Sequence, residues 1–169
     1  EHGANVYGLD LSQQDEPFKV LKADLCSVES IEKACRNIHP DALVNIAGGF
    51  ALDESPFGPC EKNWEKMFRL NVTTLTNISQ VIIPKLINQK KGSIINIGAT
   101  SALKGSPKLC SYVCAKSAVM RITETLAAEL KNSNITVNAI CPSIIDTPVN
   151  RLEMPEADSS SWTKPEEIA

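Results

Sequence analysis

Short β-rich apolar runs alternate along the chain with stretches whose apolar positions recur every three to four residues. Val6-Tyr7-Gly8-Leu9 ends at Asp10, and Val20-Leu21-Lys22-Ala23 ends at Asp24. Ala42 to Ala47 ends at Gly48-Gly49, Ser93 to Ile97 at Gly98, and Thr136 to Ile140 at Cys141-Pro142. Such runs, bounded by turn formers, predict five strands. Between them Ser27 is placed to N-cap a helix over about 28–38, with Glu29 in its first turn complementing the dipole. A long helix is predicted from Lys62 to Asn88, kinked or broken near Pro84. A third runs from about Ser111 to Lys131, with Val119, Ile122, Leu126 and Leu130 as its buried stripe. Strand and helix in regular alternation predict an α/β fold, a doubly wound parallel sheet covered on both faces.

No internal repeat, low-complexity stretch or linker interrupts this alternation, so residues 1–169 read as one incomplete domain. Both ends read as cut. Glu1-His2-Gly3-Ala4 resembles the last turn of a helix with Gly3 at C′. Pro165-Glu166-Glu167 opens a helix that the chain, ending at Ala169, does not build.

Composition narrows the classes. A net charge of −3 and a pI of about 5.4 give no electrostatic reason to expect nucleic acid or an anionic membrane as partner. No apolar run approaches the roughly 18 to 20 residues needed to span a bilayer. The expectation is a soluble, cytoplasmic protein with a small-molecule substrate. Six cysteines, Cys26, Cys35, Cys60, Cys110, Cys114 and Cys141, include no Cys-x-x-Cys pair and have only two histidines in support. They read as reduced thiols, without a metal site or a disulfide framework. Cys110 and Cys114 flank Tyr112 at helical spacing and read as small apolar packing. The sequons at Asn71, Asn77 and Asn134 fall in core elements and read as accidental.

Chemistry concentrates in Tyr112-Val113-Cys114-Ala115-Lys116. Four residues apart on a helix, the tyrosine and lysine project from one face. An ammonium held near a phenol favours the phenolate and is expected to draw its pKa down from about 10 toward the working range. The pair is thus an acid/base candidate. Other polar residues fall at strand carboxyl ends, where doubly wound folds place their ligand crevice. Asp10 there can accept hydrogen bonds from both hydroxyls of an adenosine ribose and would repel a 2′-phosphate. Asp24 stands at the end of the next strand. Asn45-Ile46-Ala47-Gly48-Gly49 puts small residues where backbone must come close to a neighbour. Pro142 to Pro148 is a stiffened loop whose Thr147 hydroxyl is free to hold a polar ligand group.

The order Asp10, Asp24, Asn45-x-Ala47-Gly48, Asn71, Tyr112-x-x-x-Lys116 and Pro142 through Thr147-Pro148 resembles the short-chain dehydrogenase/reductase family along essentially the whole chain. The resemblance implies a Rossmann-type sheet with NAD as cofactor, NADH preferred over NADPH because of Asp10. It implies that Tyr112 is the general acid/base and that Lys116 tunes it and holds the nicotinamide ribose. Asn71 would support a proton relay, Thr147 would contact the carboxamide, and Asp24, Asn45, Ala47, Gly48 and Pro142 would line the cofactor site. A homodimer or homotetramer built on the helices carrying Asn71 and Tyr112 is also implied.

Two departures follow. The family's first strand and Gly-rich phosphate loop are absent ahead of Glu1, and its last strand is absent too, so this stretch alone is expected to bind dinucleotide poorly. Thirteen residues before Tyr112, where the family carries a serine, stands Ala99. An alanine there, with Gly98-Ala99-x-x-Ala102-Leu103-x-Gly105-x-Pro107, Ala47-Gly48-Gly49-Phe50 and the segments 146–151 and 154–163, is similar to the dihydropteridine reductase branch. That branch implies hydride transfer to a conjugated ring such as a quinonoid dihydropteridine, with no ketone to polarise. Asn71 departs from the mammalian reductase of that branch and matches the general family. The alternatives are a reductase or dehydrogenase of ordinary carbonyls or alcohols, with Thr100 or Ser101 replacing the serine, and a non-catalytic NADH-binding scaffold.

Overall fold

The computed structural model describes residues 3–12, 16–54, 58 and 60–168, apart from the Glu153 side chain. Five strands form: β1 (Tyr7–Asp10), β2 (Lys19–Lys22), β3 (Ala42–Asn45), β4 (Gly92–Ile97) and β5 (Ile135–Ile140). All pair in parallel, β1 with β2 in one sheet and β3-β4-β5 in a second. These fit positions 3-2 and 4-5-6 of the doubly wound order 3-2-1-4-5-6. No strand among the described residues takes the place between β1 and β3. Gly3 has φ +81°, the left-handed conformation of a C′ residue, while the turn read at Glu1 and His2 lies outside the described residues, as does Ala169.

Helix α1 (Val28–Cys35) starts as expected, the Ser27 hydroxyl accepting the Ser30 N–H at 3.3 Å. The long helix departs from expectation. It comprises α2 (Glu61–Phe68), a π-helical turn over Arg69–Thr73 and α3 (Thr74–Gln89), and it runs through Pro84 without a break. Pro84 and Gln80 both lie on the exposed side, so the carbonyl that proline leaves unpaired faces solvent. The irregularity sits instead at Asn71. Helix α4 (Cys110–Leu130) carries the Tyr/Lys pair, and a short α5 (Pro148–Glu153) follows β5.

Register fixes the faces. Leu43, Ile94 and Val137 are partners across β3, β4 and β5, as are Asn45, Asn96 and Ala139. This face packs on Ile31 and Cys35 of α1, Ile78, Ile82 and Leu86 of α3, and Leu130 of α4. On the opposite face Val44 is 50% and Ile46 74% exposed, Thr136 and Asn138 are exposed too, and no helix among the described residues is stacked there. The handedness of crossovers accounts for this. The connections β2-α1-β3, β3-α2/α3-β4 and β4-α4-β5 all step across the sheet in one direction and so stack their helices on one side. Only the β1-to-β2 connection steps the other way, and it forms no helix among the described residues.

Candidate active site

Tyr112 and Lys116 stand one turn apart at the start of α4, beside the carboxyl ends of β3 and β4. Lys116 is only 6% exposed, and its Nζ donates to the Ile97 carbonyl at 2.8 Å. Burial lowers its pKa from 10.5 to about 8, partly offset by the neighbouring Cys141 thiol. The phenol of Tyr112 moves the other way: burial pushes it above its ordinary value. The expected lowering by Lys116 is therefore not what this structure produces. The ammonium is turned toward Ile97, and desolvation alone governs the phenol. The Phe50 ring adds to that enclosure, meeting Tyr112 edge-on with centroids 5.0 Å apart.

The loop after β3 is clamped by Asn71. Its Nδ2 donates to the Gly49 carbonyl at 3.0 Å and the Met67 carbonyl at 2.9 Å, and its Oδ1 accepts the Gly49 N–H at 3.2 Å. A π turn inserts an extra residue into the helix, and here Asn71, only 2% exposed, lies within it and reaches this loop. Gly48 lies between the clamp and the lysine. A methyl there would stand 2.8 Å from Asn71 Oδ1 and 3.5 Å from Lys116 Nζ. Asn71 is held by three bonds and cannot give way, so Gly48→Ala is expected to destabilise the fold by about 1–3 kcal/mol. The midpoint of urea unfolding checks it.

The other strand ends are occupied in different ways. Asp10 Oδ1 accepts the Ser12 N–H and hydroxyl at 2.9 and 3.0 Å, and its carbonyl accepts the Ala23 N–H. Asp24 Oδ1 accepts the Cys26 N–H at 2.8 Å. Thus Asp10 and Asp24 close the β1-β2 end as a pair of acid-terminated turns. Asn45 turns its amide into the sheet, donating to Asn96 Oδ1 at 2.8 Å, and Asn96 donates onward to Thr123 of α4 at 2.9 Å. Its side chain is thereby committed to the core, while Ala47 and Gly48 remain as backbone at the crevice. Pro142 accepts the Thr100 N–H through its carbonyl at 3.0 Å, joining the loops after β4 and β5. Ala99 is buried, and Thr100 and Ser101 begin a 3₁₀ turn over 100–103.

Thr147 N-caps α5, its hydroxyl oxygen accepting the Asn150 N–H at 3.2 Å, which leaves the O–H to donate elsewhere. The loop is tied down. Asp146 is bidentate on Arg151, which holds its carboxyl below the usual range, and Thr163 bridges Ile144 and Asp146 through backbone bonds at 2.9 and 2.8 Å. Sequence reasoning missed Asp53, which is 1% exposed and bonds the start of α4. The available signal was the helix start itself: Leu109 at the N-cap position has no side-chain acceptor, so one had to come from elsewhere. Among the described residues no helix is long and apolar enough to cross a membrane, and no group of His, Cys, Asp and Glu could hold a metal.

The chain is similar in sequence and fold to known proteins. Residues 7–157 match the short chain dehydrogenase family. A 3-oxoacyl-acyl-carrier-protein reductase of Thermotoga maritima is 33% identical over 100% of this chain and 78% of its own length. Dehydrogenase/reductase SDR family member 6 of Rattus norvegicus is 36% identical over 86% of this chain and 63% of its own. Among solved structures, 4-hydroxyisoleucine dehydrogenase complexed with NADH superposes with a TM-score of 0.80 at 27% identity, covering 97% of this chain and 75% of that one. This chain thus spans 63% to 78% of the length of these relatives. With its parallel sheet, its Tyr112/Lys116 pair at the strand ends and this match, the chain belongs to the short-chain dehydrogenase family.

Proposed function

We propose that the chain is the proton-delivering part of an NADH-dependent reductase whose substrate is a conjugated ring such as a quinonoid dihydropteridine. The observation that carries this reading is the buried Lys116 one turn from Tyr112, beside Gly48 and Asn71, at the carboxyl ends of β3 and β4. The residues fit the nicotinamide half of the cofactor. Gly48 leaves a cradle that a methyl would fill, Thr147 keeps a hydroxyl proton for a carboxamide, and Lys116 supplies an ammonium for ribose hydroxyls. Pro142 stiffens the wall beside Thr147. Asp10 disfavours a 2′-phosphate by charge, which is the basis for NADH over NADPH. When bound, the nicotinamide supplies the hydride.

Tyr112 gives its phenolic proton to the substrate, completing a two-electron reduction with the hydride. Burial keeps that proton on the phenol until the substrate takes it. Lys116, its ammonium on the Ile97 carbonyl and beside Gly48, serves the ribose rather than the phenol, and Asn71 holds the loop that walls the site. Ala99 offers no hydroxyl to polarise a carbonyl, and the half-exposed Phe50 ring beside Tyr112 offers an aromatic surface to a flat ring. A second copy packed on the helices bearing Asn71 and Tyr112 would form a homodimer or homotetramer, with the Trp64–Phe68 stack of α2 as an aromatic contact.

A second reading, reduction of an ordinary carbonyl, is favoured by Ser101, partly exposed in the turn after Ala99, and by the 33% identity to a 3-oxoacyl reductase. Assaying the full-length protein with quinonoid dihydropterin and a panel of ketones separates the two. The expected result is turnover of the pterin that Ser101→Ala leaves unchanged. Ketone turnover that collapses in Ser101→Ala would replace the pterin reading with the carbonyl one.

A further inference from the structure

Helix α4 begins without a cap of its own. Leu109 occupies the N-cap position with φ −124° and ψ 17°, and it has no side-chain oxygen to accept the first free N–H groups. The acceptor comes from Asp53, 58 residues before Ser111 on the loop after β3. Asp53 Oδ2 accepts the Ser111 N–H at 3.2 Å, and Oδ1 accepts the Ser111 hydroxyl at 2.8 Å. The Cys110 N–H also points to the carboxylate. From the other side, the Asp53 N–H donates to the Lys108 carbonyl at 2.7 Å, and Lys108 is held at φ +57°, a left-handed conformation unusual for a lysine. Asn63 of α2 donates to Leu52 O at 3.0 Å and lies at 3.5 Å from Asp53 Oδ1.

We propose that Asp53 is a positioning residue: by supplying the N-terminal cap of α4 from the loop after β3, it sets where Tyr112 stands relative to Gly48, Phe50 and Asn71. The inference rests on the reading of Tyr112 as proton donor only for its catalytic consequence. The loop is pinned at two points, Gly49 on Asn71 and Asp53 on Ser111, and Phe50 between them presses on Tyr112. Ser111 immediately precedes Tyr112, so freeing it frees the first turn that carries the phenol. The state of Asp53 suits the role. Burial raises the carboxyl's pKa, but the bonds from Ser111, Asn63 and Cys110 outweigh it and hold it below its usual value, so it is ionised at neutral pH. A negative charge at a helix N-terminus is also favoured by the helix dipole.

The test reads the phenol directly. The chain has two tyrosines, so ultraviolet titration in a Tyr7→Phe background reports Tyr112 alone. With Asp53 intact, Tyr112 titrates above the ordinary value. In Asp53→Ala the first turn frays, Tyr112 meets solvent, and its midpoint falls to about 10. Asp53→Asn, which keeps an acceptor oxygen, restores most of the elevation. In the full-length enzyme Asp53→Ala lowers kcat about 10- to 100-fold with NADH affinity unchanged, the scale of a displaced catalytic group. Parental titration in a folded Asp53→Ala variant overturns the proposal. If circular dichroism shows that variant unfolded, the titration is repeated in sucrose at a concentration that restores its dichroism, since excluded osmolytes favour the compact state; a parental midpoint there overturns the proposal, and a lowered one supports it. A fully active Tyr112→Phe would remove the catalytic reading and leave the titration result standing.

Discussion

Tyr112→Phe is expected to lower turnover of the full-length protein about 10²- to 10⁴-fold, the usual contribution of a positioned acid, while NADH affinity stays at the parental value. The substitution removes one oxygen from a ring whose position is set by Phe50 and by the α4 backbone, so packing is preserved and the loss reports on proton delivery. A ketone and a quinonoid pterin both need that proton, which makes the result independent of the substrate reading. Stopped-flow oxidation of NADH, with binding followed separately by fluorescence, measures both quantities. Parental turnover with any accepted substrate would sink the assignment of Tyr112 as acid.

Lys116→Met is expected to change the pH dependence of stability as well as activity. With its pKa at about 8 in the fold and 10.5 in the unfolded chain, Lys116 binds its proton more weakly when folded. Between those values the unfolded state carries the extra proton, so stability rises with pH, at up to about 1.4 kcal/mol per pH unit for one group. Below pH 8 both states are protonated and the full unfavourable contribution of the buried charge, on the order of 3 kcal/mol, is present. Cys35, Cys114 and Tyr112, whose pKa values burial raises, act with the opposite sign at higher pH. The parental slope between pH 8 and 9 minus the slope in Lys116→Met isolates the lysine, since the other groups cancel. Urea unfolding across that range reads it, and identical slopes would mean that Lys116 is not buried as a cation. In the same enzyme the parental activity falls as pH rises through about 8, where the ammonium is lost.

Local signals in the sequence carried far. Every strand lies within about two residues of its predicted run, because β-branched residues bounded by Gly, Asp or Cys-Pro are strong punctuation. The Ser27 cap and the extent of α4 were equally legible. What escaped was tertiary. The π turn at Arg69–Thr73 is made of ordinary helix-compatible residues, and only the pull of Asn71 toward Gly49 distinguishes it. That the described helices all stack on one face of the β3-β4-β5 sheet follows from the direction of successive crossovers, which no window of residues encodes. β5 did carry a hint, since it alternates Ile135, Thr136, Val137, Asn138, the pattern of a strand with one wet side. Among the site residues, Lys116, Gly48 and Asn71 lie together, with Tyr112 one turn before Lys116 on α4, whereas Asn45 spends its amide inside the sheet. The phenol's direction of shift was misread because proximity of an ammonium was inferred from spacing, and Lys116 instead turns to Ile97.

Asn96 is 0% exposed near the carboxyl end of β4, with Asn45 on one side and Thr123 on the other. A strand slipped by one residue turns every side chain to the opposite face, so a one-residue misalignment of β3 on β4 would set Val44 or Ile46 beside Asn96 and leave its Oδ1 without the Asn45 donor, while the bond to Thr123 stays. An unsatisfied buried polar group costs about 1–3 kcal/mol, enough to depopulate the slipped pairing several-fold or more. A run as uniformly apolar as Ala42-Leu43-Val44 would otherwise pair almost equally well in several alignments. The two asparagines thus select among alignments, making the observed register of β3 on β4 the one in which their amides are paired.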